Sequence, residues 1–363
     1  MKKIILFING LSSGGAEHQL SLLSSFLAEK GYNIEISTYS DIPDYYPLCN
    51  QIKRTNIGKG RSFVVKLLLI FSYFLKTKAD VVISFGSRNN TLAILPLLFR
   101  PHIKILAGER CANFMGLSWY KRLNFRLLYK RANYIVPNSY TQRNEIISYQ
   151  RLLENKIRVI TNYTDLDLYK VQPFQNNDII QIGIFARYAI QKNYVRFAKV
   201  IKLLKDCTKK QFMVTWFGNK SSKESSNPDY EHFEELIKYY NISDVIALKD
   251  HVQNVSSIIP EFDVLCLPSL GEGFSNSISE YICCGRPVLC SNVADNSIMV
   301  KDGLNGFLFD PTDEENMKES FLRFFDLTKE EIQRMGEISR QIAESLFNKD
   351  SFVNSYIDLI ETL

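Results

Sequence analysis

The sequence predicts an α/β fold with two open, doubly wound parallel sheets, and three observations lead there. Short apolar runs alternate with stretches of helical periodicity, the pattern of repeated β–α–β units. The alternation breaks once, at a polar stretch containing a proline (170–179), and then restarts. A length of 363 residues also exceeds what one core ordinarily serves.

In the first half, KIILFI (3–8) reads as a strand, and AEHQLSLLSSFLAEK (16–30) follows with helical spacing and stops at Gly31. NIEIST (33–38) is the next strand. After a helix-like 62–78 come DVVISF (80–85), IKILAG (103–108), NYIVPNS (133–139) and IRVITN (157–162). KVQPFQNNDI (170–179) reads as a linker, which sets an N-terminal domain at 1–172 and a second at 173–340. A C-terminal helix, 341–363, is expected to pack back toward the first domain. Past the linker, IIQIGIFAR (179–187), QFMVTWFG (211–218), DVIALK (244–249), DVLCLPS (263–269) and PVLCSN (287–292) read as strands, with NYVRFAKVIKLLKDC (193–207) as a helix. Two such sheets place a ligand cleft at the carboxyl ends of their strands.

Composition excludes several classes. The 44 Lys and Arg against 39 Asp and Glu leave only +5, too mild for a nucleic-acid binder. Seven cysteines without a CxxC pair fit reduced thiols, and adjacent Cys283 and Cys284 read as small buried residues rather than metal ligands. The start, MKKIILFING, has no long apolar region before a cleavage site. FVVKLLLIFSYFL (63–75) contains Lys66 and is too short to span a bilayer; of its two readings, a core helix and an added contact with a membrane surface, the core helix is the expectation. A cytoplasmic protein without a transmembrane helix is the expectation.

GLSSGG (10–15) matches the opening of a phosphate loop, but Ala16 and Glu17 stand where a lysine and a hydroxyl are needed. The dinucleotide pattern GxGxxG is absent too. Two readings stay open. Gly14 and Gly15 bring bare backbone and a helix start against a ligand, or they only make a tight turn. In either case Glu17 suits the first turn of a helix.

The second half is more specific. ARYAIQKN places Arg187 and Lys192 five apart after a strand, a pair able to grip a diphosphate. PSLGEGFSNSISE then holds Glu272 between Gly271 and Gly273, with Glu280 eight residues on in a helix that Ser275 or Asn276 caps. Carboxylates accept paired sugar hydroxyls. An ordinary surface helix accounts for Glu280, but not for an acid held between two glycines.

GGAE, the Arg-x4-Lys pair, the E-x7-E spacing, CCGRPVLCSNV and DGLNGFLFDPTD, in this order, resemble the retaining glycosyltransferases of family 4. The resemblance runs along most of the chain and is strongest over 181–310. It implies the GT-B architecture, two Rossmann-like domains facing across a cleft, and transfer of a hexose or N-acetylhexosamine from a nucleotide-diphosphate sugar, a UDP-sugar first, without cofactor or metal. Arg187, Lys192 and Glu272 then carry catalysis. Gly14, Gly15, Phe274, Ser275, Asn276 and Glu280 join Arg187 and Lys192 in holding the donor, Glu280 at the ribose, and KDHVQN (249–254) lies by the base. ERCANF resembles a loop of members that act on lipid-linked sugars, so Glu109, Arg110 and Asn113 are the acceptor-side candidates. His102 belongs to a strand entry instead. Where relatives carry an acid after PVLCSN, this chain has Ser297, with Asn296 before it.

The implied acceptor is a glycan, polyprenyl-diphosphate-linked, in surface polysaccharide synthesis. WYKRLNFRLLYKRANY (119–134) interleaves five cations with apolar residues and offers a peripheral contact with the inner face of the plasma membrane. The alternatives of the same architecture are a non-hydrolysing sugar-nucleotide epimerase and a catalytically silent nucleotide-sugar-binding subunit.

Overall fold

A computed structural model describes residues 2–363 except 13, 111–118, 176, 177, 223 and 224; for 119–121, 221, 222, 225 and 226 it describes the backbone alone. The chain forms two compact units, Met1–Tyr163 with Lys349–Leu363, and Thr164–Asn348.

The first unit contains β1 (Lys3–Phe7), α1 (Gly15–Glu29), β2 (Asn33–Thr38), β3 (Lys53–Asn56), α2 (Phe63–Lys76), β4 (Val81–Phe85), α3 (Ser87–Leu97), β5 (Lys104–Glu109), α4 (Trp119–Arg126), β6 (Tyr134–Pro137) and α5 (Tyr140–Tyr149). Its six strands are all parallel, in the order β3-β2-β1-β4-β5-β6. The central strands read as unbroken apolar runs because helices cover both faces; Ile4 to Phe7 and Val81 to Phe85 are buried throughout.

The second unit contains β7 (Ile180–Phe185), α6 (Tyr194–Cys207), β8 (Phe212–Phe217), the short pair β9 (Ser221–Ser222) and β10 (Ser225–Ser226), α7 (Pro228–Tyr239), β11 (Ile246–Lys249) and α8 (Val255–Ile258). It continues with β12 (Val264–Leu267), α9 (Asn276–Cys283), β13 (Val288–Ser291), α10 (Asn296–Met299), β14 (Gly306–Phe309), α11 (Glu314–Phe325) and α12 (Lys329–Leu346). The parallel order is β11-β8-β7-β12-β13-β14. The order reverses between β7 and β12, where such folds bind ligands. β7 registers with β8 over six residue pairs but with β12 over only two, Ile182 with Val264 and Gly183 with Leu265. α13 (Lys349–Glu361) belongs to the first unit, where Phe352 packs edge-on to Phe26.

Several expectations need correction. The boundary falls at Tyr163–Thr164, and the supposed linker 170–179 belongs to the second unit. Its side chains are polar because most of the described ones are exposed, yet its backbone is anchored. The buried Arg286 guanidinium donates to the carbonyls of Gln172 (3.1 Å) and Pro173 (3.2 Å) and lies 4.0 Å from the Phe174 ring centre. IRVITN is not a strand; Ile157 makes a single bridge to Ile135. β3, missed because it is polar, is an edge strand held by Glu35, which accepts from Thr55 at 2.8 Å and pairs with Lys53 at 3.4 Å.

The basic segment 119–134 is not one helix. α4 ends at Arg126, a 3₁₀ turn follows at Leu128–Lys130, and β6 begins at Tyr134. Burial dictates the break, because Tyr129 turns into the core and Arg131 turns inward to the carbonyls of Leu97, Arg100 and Ile103. α2 is no core helix either. Ile70 and Phe74 are buried, whereas Val64, Leu68 and Phe71 are exposed.

Candidate active site

In the second unit the two strands flanking the switch point, β7 and β12, each deliver a loop at their carboxyl ends. After β7 the chain passes Arg187 and makes a 3₁₀ turn, Ile190–Lys192. Asn193 then adopts the left-handed conformation (φ 60°) and donates to the Pro311 carbonyl at 2.8 Å, which turns the chain into α6. After β12 the chain passes Ser269 and reaches Glu272.

The two loops are stitched together. Gln191 accepts from the Leu270 amide at 2.8 Å and donates through its side chain to the Gly271 carbonyl at 2.7 Å. Lys192 Nζ lies 2.5 Å from Glu272 Oε1. Arg187 is exposed at the same edge and makes no hydrogen bond or ion pair among the described residues. A free guanidinium beside a nearly buried Lys–Glu pair is an arrangement that can take up a diphosphate and the hydroxyls attached to it. Tyr188, between them in sequence, is buried and donates to the carbonyls of Trp216 (2.8 Å) and Lys249 (2.6 Å), fixing this loop against the ends of β8 and β11. The segment 249–254 thus begins at the same edge.

α9 starts beside the pair. Ser275 is its N-cap: its side chain accepts from the Ile278 amide at 3.4 Å and its carbonyl from the Ser279 amide at 3.1 Å. Phe274 is buried, with its ring edge-on to Phe347. Ser277 donates to the Phe185 carbonyl at 3.0 Å, and the Phe185 amide donates to the Tyr281 hydroxyl at 2.9 Å, so α9 is bonded to the end of β7. Glu280 lies one turn further, where burial pushes its carboxyl up to about 7 against the opposing hydrogen bond from Tyr169. Cys283 and Cys284 are buried, and burial raises both thiols, Cys284 to about 12. Asn296 is fully buried and donates to the Ser291 carbonyl at 2.9 Å, which leaves its Oδ1 without a partner.

The remaining candidates lie in the first unit. Gly14 caps α1 with an extended backbone and no side-chain bond, and Gly15 opens the helix. A Cβ at Gly14 would come within 2.2 Å of the Glu17 carboxylate, which also accepts from Ser12 at 3.4 Å. Glu109, the last residue of β5, is buried and accepts from Ser87 (2.7 Å), Asn90 (3.0 Å) and the Tyr129 hydroxyl. No cation is among these partners, and burial together with Glu109 raises the Tyr129 hydroxyl well above its ordinary value. Arg110 lies 4.0 Å from the Phe85 ring centre and donates to the Tyr356 hydroxyl, while its Nε is buried without a partner. Both side chains are therefore engaged in holding the unit together. Asn113 lies outside the described residues. His102 is exposed just before β5, at the opposite edge from the strand's carboxyl end.

Sequence reasoning missed Gln191 and Tyr169. Gln191 was legible only as the neighbour of Lys192. Tyr169 lies in an irregular segment, where no periodicity marks a partner.

The sequence model described as Glycosyltransferase Family 4 matches residues 13–168, and the one described as Glycosyl transferases group 1 matches 167–342. A Klebsiella pneumoniae protein described as an uncharacterized 41.2 kDa protein in the cps region is 27% identical over 328 residues, covering 84% of this chain and 85% of its own. The N-acetylgalactosamine-N,N'-diacetylbacillosaminyl-diphospho-undecaprenol 4-alpha-N-acetylgalactosaminyltransferase of Campylobacter jejuni is 24% identical, over 80% of this chain and 81% of its own. Among solved structures, sucrose-phosphate synthase from Thermosynechococcus elongatus superposes with a TM-score of 0.84 at 15% identity, covering 100% of this chain and 99% of that one. Anabaena HepE in complex with UDP and glucose superposes at 0.79 and 15% identity, with both chains fully covered.

Proposed function

The chain belongs to the GT-B glycosyltransferases, with a family 4 N-terminal half and a group 1 C-terminal half, and on that premise we propose that it moves a hexose or N-acetylhexosamine from a UDP-sugar to a hydroxyl of a lipid-linked glycan, with retention of anomeric configuration. One observation carries the donor side: the exposed Arg187 beside the Lys192–Glu272 pair at the switch point of the second sheet. Arg187 and Lys192 compensate the diphosphate as it departs, and Glu272 accepts from hydroxyls of the transferred sugar. Glu280 takes the ribose. The positive charge that a metal would otherwise supply comes from the two side chains. The acceptor hydroxyl attacks from the face the diphosphate leaves. Its proton passes to the departing phosphate oxygen as the C–O bond to phosphate breaks and the new glycosidic bond forms. The Campylobacter relative, whose acceptor is named as a diphospho-undecaprenol glycan, supports the lipid-linked choice. A cytoplasmic site, where nucleotide sugars are made, follows from this reading.

The test is turnover of a panel of UDP-, GDP- and ADP-sugars, with and without a polyprenyl-diphosphate-linked oligosaccharide, read by mass spectrometry and by NMR of the new anomeric centre. We expect acceptor-dependent use of a UDP-sugar, an α-linked product from an α-linked donor, no loss on chelation, and a drop of about 10²-fold or more for Arg187→Ala. An epimerised sugar nucleotide formed without acceptor would establish the rival enzyme instead. Binding of the nucleotide without any turnover would favour the silent subunit.

A further inference from the structure

On the first unit, α2 inverts the pattern of an ordinary surface helix. Its only charged residue before the last position, Lys66, points inward, with Nζ 2.7 Å from Asp41 Oδ2. Its outward residues are apolar: Val64 is 67% exposed, Leu68 68% and Phe71 38%. The apolar surface continues past the end of α3, where Phe99 is 69% exposed with its ring centre 6.3 Å from that of Phe71, and Leu98 is exposed beside it. At the other end of α2, the guanidinium of Arg88 on α3 lies 5.5 Å from the Phe63 ring centre.

Cations surround this surface. Lys59 and Arg61 precede α2, and Lys76 and Lys78 end it, all exposed. No Asp or Glu occurs between Asp44 and Asp80, and residues 45–144 hold 17 Lys and Arg against two acids, Asp80 and Glu109. Glu109 is buried, and Asp80 accepts from the Lys3 amide at 2.7 Å. A contiguous exposed apolar surface marks an interaction site. Its rim selects the partner.

We infer that this α2–α3 face is the surface by which the protein docks on an anionic lipid bilayer. α2 lies along the headgroups, its apolar side chains enter the acyl boundary, and the surrounding cations meet lipid phosphates. At about 21 Å long, α2 suits a helix lying in the plane, and no helix among the described residues is long and apolar enough to cross a membrane. A second copy of the chain fits poorly, because two-fold self-docking sets each basic rim against its own likeness. The docking surface does not depend on the sugar-transfer reading and is tested with neither donor nor acceptor.

The full-length chain is mixed with phosphatidylcholine vesicles, with or without phosphatidylglycerol, and sedimented at low and high salt. We expect at least about tenfold stronger association with the anionic vesicles, weakened by salt. Leu68→Ser with Phe99→Ser abolishes association, and Lys76→Gln with Lys78→Gln and Arg88→Gln abolishes the preference for the anionic composition. Both variants keep the wild-type melting temperature, since every altered side chain is exposed. A wild-type chain left in the supernatant with anionic vesicles, or a Leu68→Ser, Phe99→Ser chain that sediments like wild type, overturns the inference. So does a vesicle-free dimer that those two substitutions convert to monomer, which would make the face an interface between copies.

Discussion

Lys192 and Glu272 approach to 2.5 Å between Nζ and Oε1, with side chains only 12% and 11% exposed, and each stands on a loop from a different side of the switch point. In the proposed donor site these two charges therefore neutralise each other, leaving Arg187 as the uncompensated cation. On the proposed function, a diphosphate competes with Glu272 for Lys192, and a sugar hydroxyl replaces the ammonium at Glu272.

Removing one partner strands the other. Glu272→Ala leaves a largely buried ammonium without its counter-charge, a loss of up to about 3–5 kcal/mol when burial is complete. The Lys192→Ala, Glu272→Ala double variant should be destabilised by clearly less than the sum of the two single changes. Thermal melts of the four proteins read the coupling, and strict additivity would show that the pair contributes nothing. All three variants should lose transfer by about 10²-fold or more.

If Glu280 holds the ribose as proposed, donor binding should depend on pH. The carboxyl's folded value of about 7 lies above the ordinary 4.5, so folding takes up a proton between those limits. Stability of the empty protein should therefore fall as pH rises from about 4.5 to about 7 and then level off, by at most about 3 kcal/mol. Nucleotide affinity should run the other way, rising over the upper part of that window as the carboxylate able to accept ribose hydroxyls appears. Calorimetric titration with UDP across this range checks the second trend, and Glu280→Gln should flatten both.

Gly14→Ala separates a turn from a ligand contact. The added methyl must displace the Glu17 carboxylate from its contact with Ser12, so a small drop in melting temperature is expected with the fold retained. If the donor approaches this backbone, kcat/KM falls at least tenfold, and Gly15→Val falls further while the fold survives. Undiminished transfer in both variants would reduce GLSSGG to a plain turn.

Glu109→Gln should act mainly on stability. The carboxylate accepts from Ser87, Asn90 and Tyr129, and the amide cannot reproduce that pattern, for an expected loss of about 1–3 kcal/mol. Chemical denaturation measures it. A normal denaturation midpoint with abolished transfer would return Glu109 to the reacting centre.

Apolar patterning made the two sheets legible, because parallel strands buried on both faces must be apolar throughout, as Ile4 to Phe7 and Val264 to Leu267 are. The same logic hid β3, whose polar KRTN satisfies Glu35 at a sheet edge, and it admitted IRVITN, an apolar stretch held by a single bridge. The Lys192–Glu272 contact joins residues 80 apart, so spacing could nominate its members but not their pairing. The exposure of α2 was invisible for a related reason. Its sequence is apolar all round, and only the fold decides which side is covered. Polarity misled once more at 170–179, where carbonyls bonded by Arg286 looked like a free linker.

The seam between β7 and β12 has a mechanical consequence. With two registered residue pairs on one side of β7 and six on the other, the second sheet has its shortest pairing along the line that ends at the proposed donor site. The Gln191–Gly271 bond and the Lys192–Glu272 pair act there as rivets at the open end of a slot. On the proposed function, a donor that draws Lys192 away removes one rivet and bridges the two loops with its own phosphates, which would make the bound donor a structural member of this edge.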